Sequence, residues 1–390
     1  MKRNGCFYED IYLYPNLCDA FHKASKGRQN DPEVVKFRKN FEVNIDALQK
    51  GLRDQSPDIG HYTYFVVRDP KTRLICAASF PERVLHHAIM NICGSILDAP
   101  AIHDSYACRT GKGSHLAVKR TQFLANQYQW FLKLDIRKYF DSIDHNIMLR
   151  LLDRKIKDQK VLLLLGKIME TYHSTNGKGL PIGNLTSQHL ANYYLCYFDH
   201  WIKEQREVKG YIRYMDDFIL FRESSEMLKA DLNEIQKYLH TYLKLTIKPG
   251  IQLNRSKKGI PFLGYRVFPQ KVLLLPSSKK RFIHKLVKYE LKYEQGIWSE
   301  EILSKHLTAM IAFIAHADSK GFQRNTIQRF GVSSYGLEPG DPRRQLEQQR
   351  QELSVSESEQ QQPWQHEQQP GLSAGLRPQY SGKKNCHSPG

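Results

Sequence analysis

The sequence predicts an α+β fold built around a small sheet that carries acidic side chains. Three observations lead there. The stretch Tyr211–Phe221, YIRYMDDFILF, sets the adjacent aspartates Asp216 and Asp217 between two apolar, β-prone runs, which reads as two short strands joined by a tight turn. Far upstream, Trp130–His145, WFLKLDIRKYFDSIDH, holds a second strand-like run that ends at Asp135. Helical periodicity dominates both ends of the chain up to about Phe330.

A lone Asp-Asp pair reads most simply as a hairpin turn. A second carboxylate in the same kind of setting changes the balance, because burying like charges together is costly unless a cation offsets them, and hard oxygen ligands suit Mg²⁺. Asp135 with Asp216 and Asp217 gives carboxylates from two strands that can converge on a metal pair, the arrangement that aligns an attacking and a leaving oxygen at phosphorus. Asp141 and Asp144 fall where a helix begins and read as N-terminal caps.

The net charge of the 390 residues is +18, from 58 basic and 40 acidic side chains. Residues 340–390 hold six of each, so residues 1–339 carry 52 basic against 34 acidic groups, which is the whole +18. A body this basic suits a polyanionic partner, since phosphate contacts dominate nucleic-acid affinity. No apolar run approaches the roughly 20 residues of a membrane helix. The N-terminus lacks an apolar signal core, so an intracellular protein is expected. The seven cysteines form no CxxC pair and are expected as reduced thiols.

In chain order, residues 7–50 read as a helical extension broken by the basic Ser25–Arg28. His61–Ala77 reads as a β-hairpin turning at Asp69-Pro70, with Arg68, Lys71 and Arg73 crowded at the turn. Pro81–Ile96 is an amphipathic helix; His86 and His87 within it point in different directions, which argues against a shared metal. Ser105–Ala117 is Gly-rich and basic but lacks P-loop spacing, so an ATPase reading fails. Met148–Met169 is a helical pair, with Val161–Leu165 as core. A helix followed by LKLTIKPG spans Tyr238–Gly250, and Ser277 to about Phe330 is helical and basic.

With these residues in place, LDIRKYFDSIDH, GLPIGNLTSQ (Gly179–Gln188) and YMDD resemble motifs A, B and C of reverse transcriptases, in the expected order, over about Phe7–Phe330. Most of that family has Gln-Gly then Ser-Pro in motif B. Ile182-Gly183 and Ser187-Gln188 stand here instead, and this variant is similar to the reverse transcriptases of diversity-generating retroelements. The resemblance implies a right-hand polymerase: an N-terminal helical extension (1–50), fingers and an antiparallel palm sheet (51–276), and a helical thumb (277–335). It implies template-directed DNA synthesis on RNA with two Mg²⁺ ions, Mn²⁺ being a substitute. Asp135, Ile136, Asp216 and Asp217 fall at the metal, and Arg68, Lys71 and Arg73 on the incoming dNTP, with Arg73 the best match to the family's fingers arginine. Ile136, Phe140, Ile182, Gly183 and Gln188 complete the nucleotide pocket, Phe140 excluding a 2′-hydroxyl, and Lys248 matches the lysine that protonates the leaving pyrophosphate. Ser105–Ala117 resembles the template-tracking motif 2, and Phe262–Tyr265 the primer grip. Ile182 has no polar handle, so pairing there is policed by shape, and a pocket without polar policing discriminates less. The partners implied are a template-repeat RNA, its RNA–DNA duplex and a small basic, oligomeric helical accessory protein in a bacterial or phage-encoded setting.

Residues 336–390 are expected to be disordered, with ten glutamines in the 25 residues Gln345–Gln369. If Arg343–Arg350 is encoded CGG CGG CAG CTG GAA CAA CAA CGC, the frame one base later reads Gly-Gly-Ser-Trp-Asn-Asn-Asn. Such AAC-rich stretches resemble the template repeats of diversity-generating retroelements. The rival readings are a group II intron-type or retron-type reverse transcriptase and, outside enzymes, an idle RNA-binding scaffold.

Overall fold

In the computed structural model, residues 5–68 and 72–330 are described. They fall into two compact units, one ending at Leu275 and one beginning at Pro276. In the first, α1 (Tyr8–Ile11), α2 (Tyr14–Ser25), α3 (Pro32–Lys39) and α4 (Phe41–Arg53) form the N-terminal layer. The break falls at Lys26–Asp31, where Asp31 caps α3 by accepting from Glu33 N (3.0 Å) and Pro32 supplies a preset φ at the first helical position. The second helical stretch is itself split at Asn40, which ends α3 and precedes α4. An aromatic cluster of Phe21, Phe37, Phe41 and Phe80 packs this layer on α5 (Phe80–Asp98). Burying each such ring contributes about 2–3 kcal/mol.

Between these helices, β1 (Tyr62–Val67) and β2 (Arg73–Ala78) form the antiparallel hairpin. After α6 (Ser114–Gln127) come β3 (Trp130–Asp135), α7 (Tyr139–Ser142), α8 (His145–Asp153), α9 (Gln159–Glu170), α10 (Leu185–Tyr194) and α11 (Cys196–His200). Asp144 caps α8, accepting from Ile147 N at 3.0 Å. Asp141, expected as a second cap, instead lies inside the one-turn α7, whose N-cap is Lys138 at φ 45°. Then β4 (Gly210–Tyr214), β5 (Asp217–Arg222), α12 (Ser225–Leu243) and β6 (Gln252–Arg255) complete an antiparallel sheet in the order β4-β5-β3-β6.

The register of that sheet decides what each face carries. Leu132 pairs with Leu220 and Leu134 with Phe218, while Tyr211 pairs with Leu220 and Arg213 with Phe218. Alternation therefore puts these residues on one face, against the main core, and Lys133, Asp135 and Asp217 on the other. Phe131, Ile212, Ile219 and Phe221 on that second face are also buried, which is why the strands read as near-continuous apolar runs rather than a clean alternation. A three-stranded antiparallel sheet of β7 (Ile260–Phe262), β8 (Tyr265–Val267) and β9 (Val272–Leu274) closes the unit. Its first turn is the stretch expected as the primer grip, with Leu263 and Gly264 both at positive φ.

The second unit contains α13 (Pro276–Glu294), α14 (Glu300–Ala315) and α15 (Lys320–Phe330). The Gln-rich stretch and the expected template repeat lie outside the described residues, as does Lys71. No described helix is long and apolar enough to cross a membrane. Cys18, Cys76, Cys93, Cys108 and Cys196 are free thiols.

Candidate active site

The β4–β5 hairpin closes with Tyr214 paired to Asp217, leaving Met215 and Asp216 as its two-residue loop. Met215 has φ 58°, and Asp216 is not among the positive-φ residues. Positive φ at the first loop position only is the pattern of a type II′ turn, which favours glycine there. Holding methionine in that conformation costs about 1–3 kcal/mol, a strain that persists only where the surroundings enforce it.

The loop stands over the end of β3. Asp135 is the direct cross-strand partner of Asp217, so both carboxyls leave the same face. Asp135 and Asp217 are cross-strand partners and both raise the Asp216 carboxyl by their charge, although among the described residues no group of three or more His, Cys, Asp or Glu side chains is placed to hold a metal. Asp217 is turned to Lys133 Nζ (2.6 Å), two residues back along β3 from Asp135. Asp135 and Asp216 form the close pair. Burial, then the Asp135 charge, push the Asp216 carboxyl up to about 7. Two oxygen-donor side chains repelling each other in a partly buried turn suit Mg²⁺, which would relieve that repulsion.

Lys248 arrives on the strand-like segment after α12. Its backbone N donates to Asp135 O (2.8 Å), its Nζ stands 3.4 Å from Asp135 Oδ2, and Ile247 bridges Ile136. Asp217 and Asp135 thus each have a lysine, while Asp216 has no ion-pair partner among the described residues.

Three backbone hydrogen bonds hold the Gly179–Ile182 stretch in place. Leu180 N donates to Phe140 O (2.9 Å), Gly179 N to Ile143 O (2.8 Å), and Cys76 N, on β2, to Ile182 O (2.8 Å). Gly183 has φ 122°, and a Cβ there would meet Ile75 Cγ2 at 2.9 Å and Cys76 O at 3.1 Å. Only glycine lets the chain pass so close under the hairpin. Phe140 is half-buried with its ring against Tyr139. Gln188, on α10, accepts from Cys108 Sγ at 3.3 Å. Arg68 and Arg73 are exposed at the described ends of the hairpin.

Residues 68–267 match the family model described as reverse transcriptase (RNA-dependent DNA polymerase). The chain belongs to the reverse transcriptase family. The group II intron-encoded protein LtrA of Lactococcus lactis subsp. cremoris is 26% identical over 361 residues, covering 83% of this chain and 57% of that protein. Protein YkfC of Escherichia coli is 22% identical over 294 residues, covering 59% of this chain and 76% of its own length. The apo telomerase of Candida tropicalis, truncated of its C-terminal domain, overlaps 55% of each chain at a TM-score of 0.42 and 12% identity. The chain thus spans under two-thirds of the length of LtrA.

Within this reverse transcriptase the β4-β5-β3-β6 sheet is the palm sheet. Sequence reasoning missed Lys133, whose only signal was the alternation L-K-L before Asp135. It also missed the buried trio Arg213, Asp199 and Asn192, signalled by one arginine inside the apolar run YIRY.

Proposed function

We propose that this chain is an RNA-directed DNA polymerase that joins a primer 3′-hydroxyl to the α-phosphate of a dNTP and releases pyrophosphate. The observation that supports it most is the Asp135–Asp216 carboxylate pair at the palm turn. Asp135 and Asp216, with Ile136 beside them, would hold Mg²⁺, and Asp217 would support them from its contact with Lys133. Mg²⁺ bound there would stabilise the attacking and leaving oxygens of an in-line displacement. Arg68, Lys71 and Arg73 would bind the triphosphate, Arg73 through a bidentate fork. Phe140 would crowd the sugar, and Lys248 would give its proton to the departing pyrophosphate. The test is primer extension on an RNA template: Asp216→Asn should lower the rate by about 10³-fold or more while RNA affinity stays within about twofold. An Asp216→Asn protein extending at the normal rate removes the assignment.

The finer reading is the polymerase of a diversity-generating retroelement, working with template-repeat RNA and a small basic accessory protein inside a bacterial cell. It rests on Ile182 in motif B and on the Gln-rich tail, which would read AAC-rich one base later under the codon choice given above. A group II intron-type enzyme is the second reading, favoured by the likeness to LtrA. Template-adenine errors separate them. The retroelement reading expects frequent misincorporation opposite adenine that Ile182→Gln reduces; faithful copying of adenine by the native protein leaves the intron-type reading standing.

A further inference from the structure

On the core face of the palm sheet, behind the carboxylates, Arg213 is fully buried. A guanidinium has five N–H donors, and here every one is met. Nε donates to Asp199 Oδ1 and Oδ2 (2.8 and 2.9 Å), and Nη2 to Asp199 Oδ2 (2.6 Å) and Asn192 O (3.3 Å). Nη1 donates to Asn192 Oδ1 and to Met215 O, both at 2.9 Å. Tyr211 gives its hydroxyl proton to Asp199 Oδ1 (2.7 Å), and Asn192 Nδ2 reaches Ala107 O (2.7 Å).

Asp199 meets only part of the guanidinium's donors, and a buried ion pair needs the rest met as well. The Nη1 contact reaches the strained turn residue. Met215 O belongs to the same planar peptide unit as the Asp216 N–H. Fixing that oxygen fixes ψ of Met215 and φ of Asp216 together, and so the direction in which the Asp216 carboxyl leaves the chain. Asn192 lies on α10, the helix that follows Ile182 and Gly183, so the same guanidinium ties the turn to α10.

We propose that Arg213 is a positioning residue for catalysis: it locks the Met215–Asp216 peptide plane from behind so that the Asp216 carboxylate stands beside Asp135, in register with α10. This rests on the polymerase reading above. The test uses the full chain carrying Arg213→Met, Asp199→Leu and Tyr211→Phe together. That triple change removes the ion pair without orphaning a charge, and apolar replacement of a buried pair is often neutral or stabilising. The thermal midpoint, the primer–template Kd and the dNTP KM should stay close to wild type. The kcat should fall by about tenfold or more, since small misplacements at a reacting centre are costly, and Mn²⁺ binding followed by electron paramagnetic resonance should weaken. A folded triple variant with normal kcat and normal Mn²⁺ affinity overturns the proposal. If the triple variant does not fold, Arg213→Lys decides: it keeps the charge but loses the fork, and a wild-type kcat in it likewise overturns the proposal. If the native protein extends no primer, the polymerase reading fails by itself. The Mn²⁺ titration still judges Arg213: weaker binding in the variant supports it, and equal binding, or none in either protein, overturns it.

Discussion

The two faces of the palm sheet treat charge in opposite ways, although the same strands build both. On the core face, Arg213 is sealed from water and each of its donors has an acceptor. On the other face, Lys133 and Lys248 are partly exposed, at 15% and 45% of the side chain, and Asp216 has no ion-pair partner among the described residues. The difference teaches where a fold tolerates incomplete pairing. A fully buried guanidinium must be satisfied within the chain, because nothing else will reach it. A carboxylate at an open turn can stay frustrated, because a cation from solution can complete it.

Mutations can break this contrast. Asp199→Ala leaves Arg213 charged and buried without its carboxylate, and should cost about 3–5 kcal/mol in denaturant unfolding. Its counterpart on the other face, Lys133→Met, breaks a pair in which the lysine is 15% and the aspartate 25% exposed, and should cost less, about 1–2 kcal/mol. If the two costs came out equal, the contrast between the faces would be wrong. Between these extremes lies Gly183→Ala, where a positive φ and a Cβ at 2.9 Å from Ile75 act together. It should destabilise by about 1–3 kcal/mol and raise the dNTP KM in steady-state extension.

The smallest expected effect sharpens the comparison in the helical unit. Glu290 on α13 is buried, neither oxygen has a hydrogen-bond partner among the described residues, and burial followed by the Glu294 charge raises its pKa. A raised folded pKa means that ionisation opposes folding. The cost is absent below the unfolded value near 4.5 and grows as pH rises from there to the folded value. It is constant above it. Glu290→Gln should therefore raise the thermal midpoint by roughly 2–4 °C at pH 8 and do nothing at pH 4. An equal shift at both pH values would assign the gain to packing rather than charge.

The carboxylates were legible in the sequence because each sits at the end of a short local pattern. Strand periodicity gives Asp135, and a hairpin between apolar runs gives Asp216 and Asp217. The Asp144 cap was legible for the same reason, its partner lying three residues away. Asp141 was misread because a one-turn helix precedes α8, and nothing in DSIDH distinguishes a cap from an interior position. The Arg213 network was illegible because its acceptors on Asp199 and Asn192 lie 14 and 21 residues away on other elements. A lone arginine in an apolar strand carries no period from which to find them. Lys133 was hidden similarly: its partner is across the sheet, and only the register identifies it.

The hydrogen bond from Cys76 to Ile182 has a mechanical consequence. Arg73 and Cys76 lie on one extended strand, about 10 Å apart at the usual rise per residue. An extended, cross-paired strand is stiff along its length, so if Arg73 holds a phosphate as proposed, a pull on it would be transmitted to the Ile182–Gly183 stretch. Under the proposed function, grip at Arg73 and the set of the Ile182–Gly183 stretch would be geared together, and slack in one would be slack in the other.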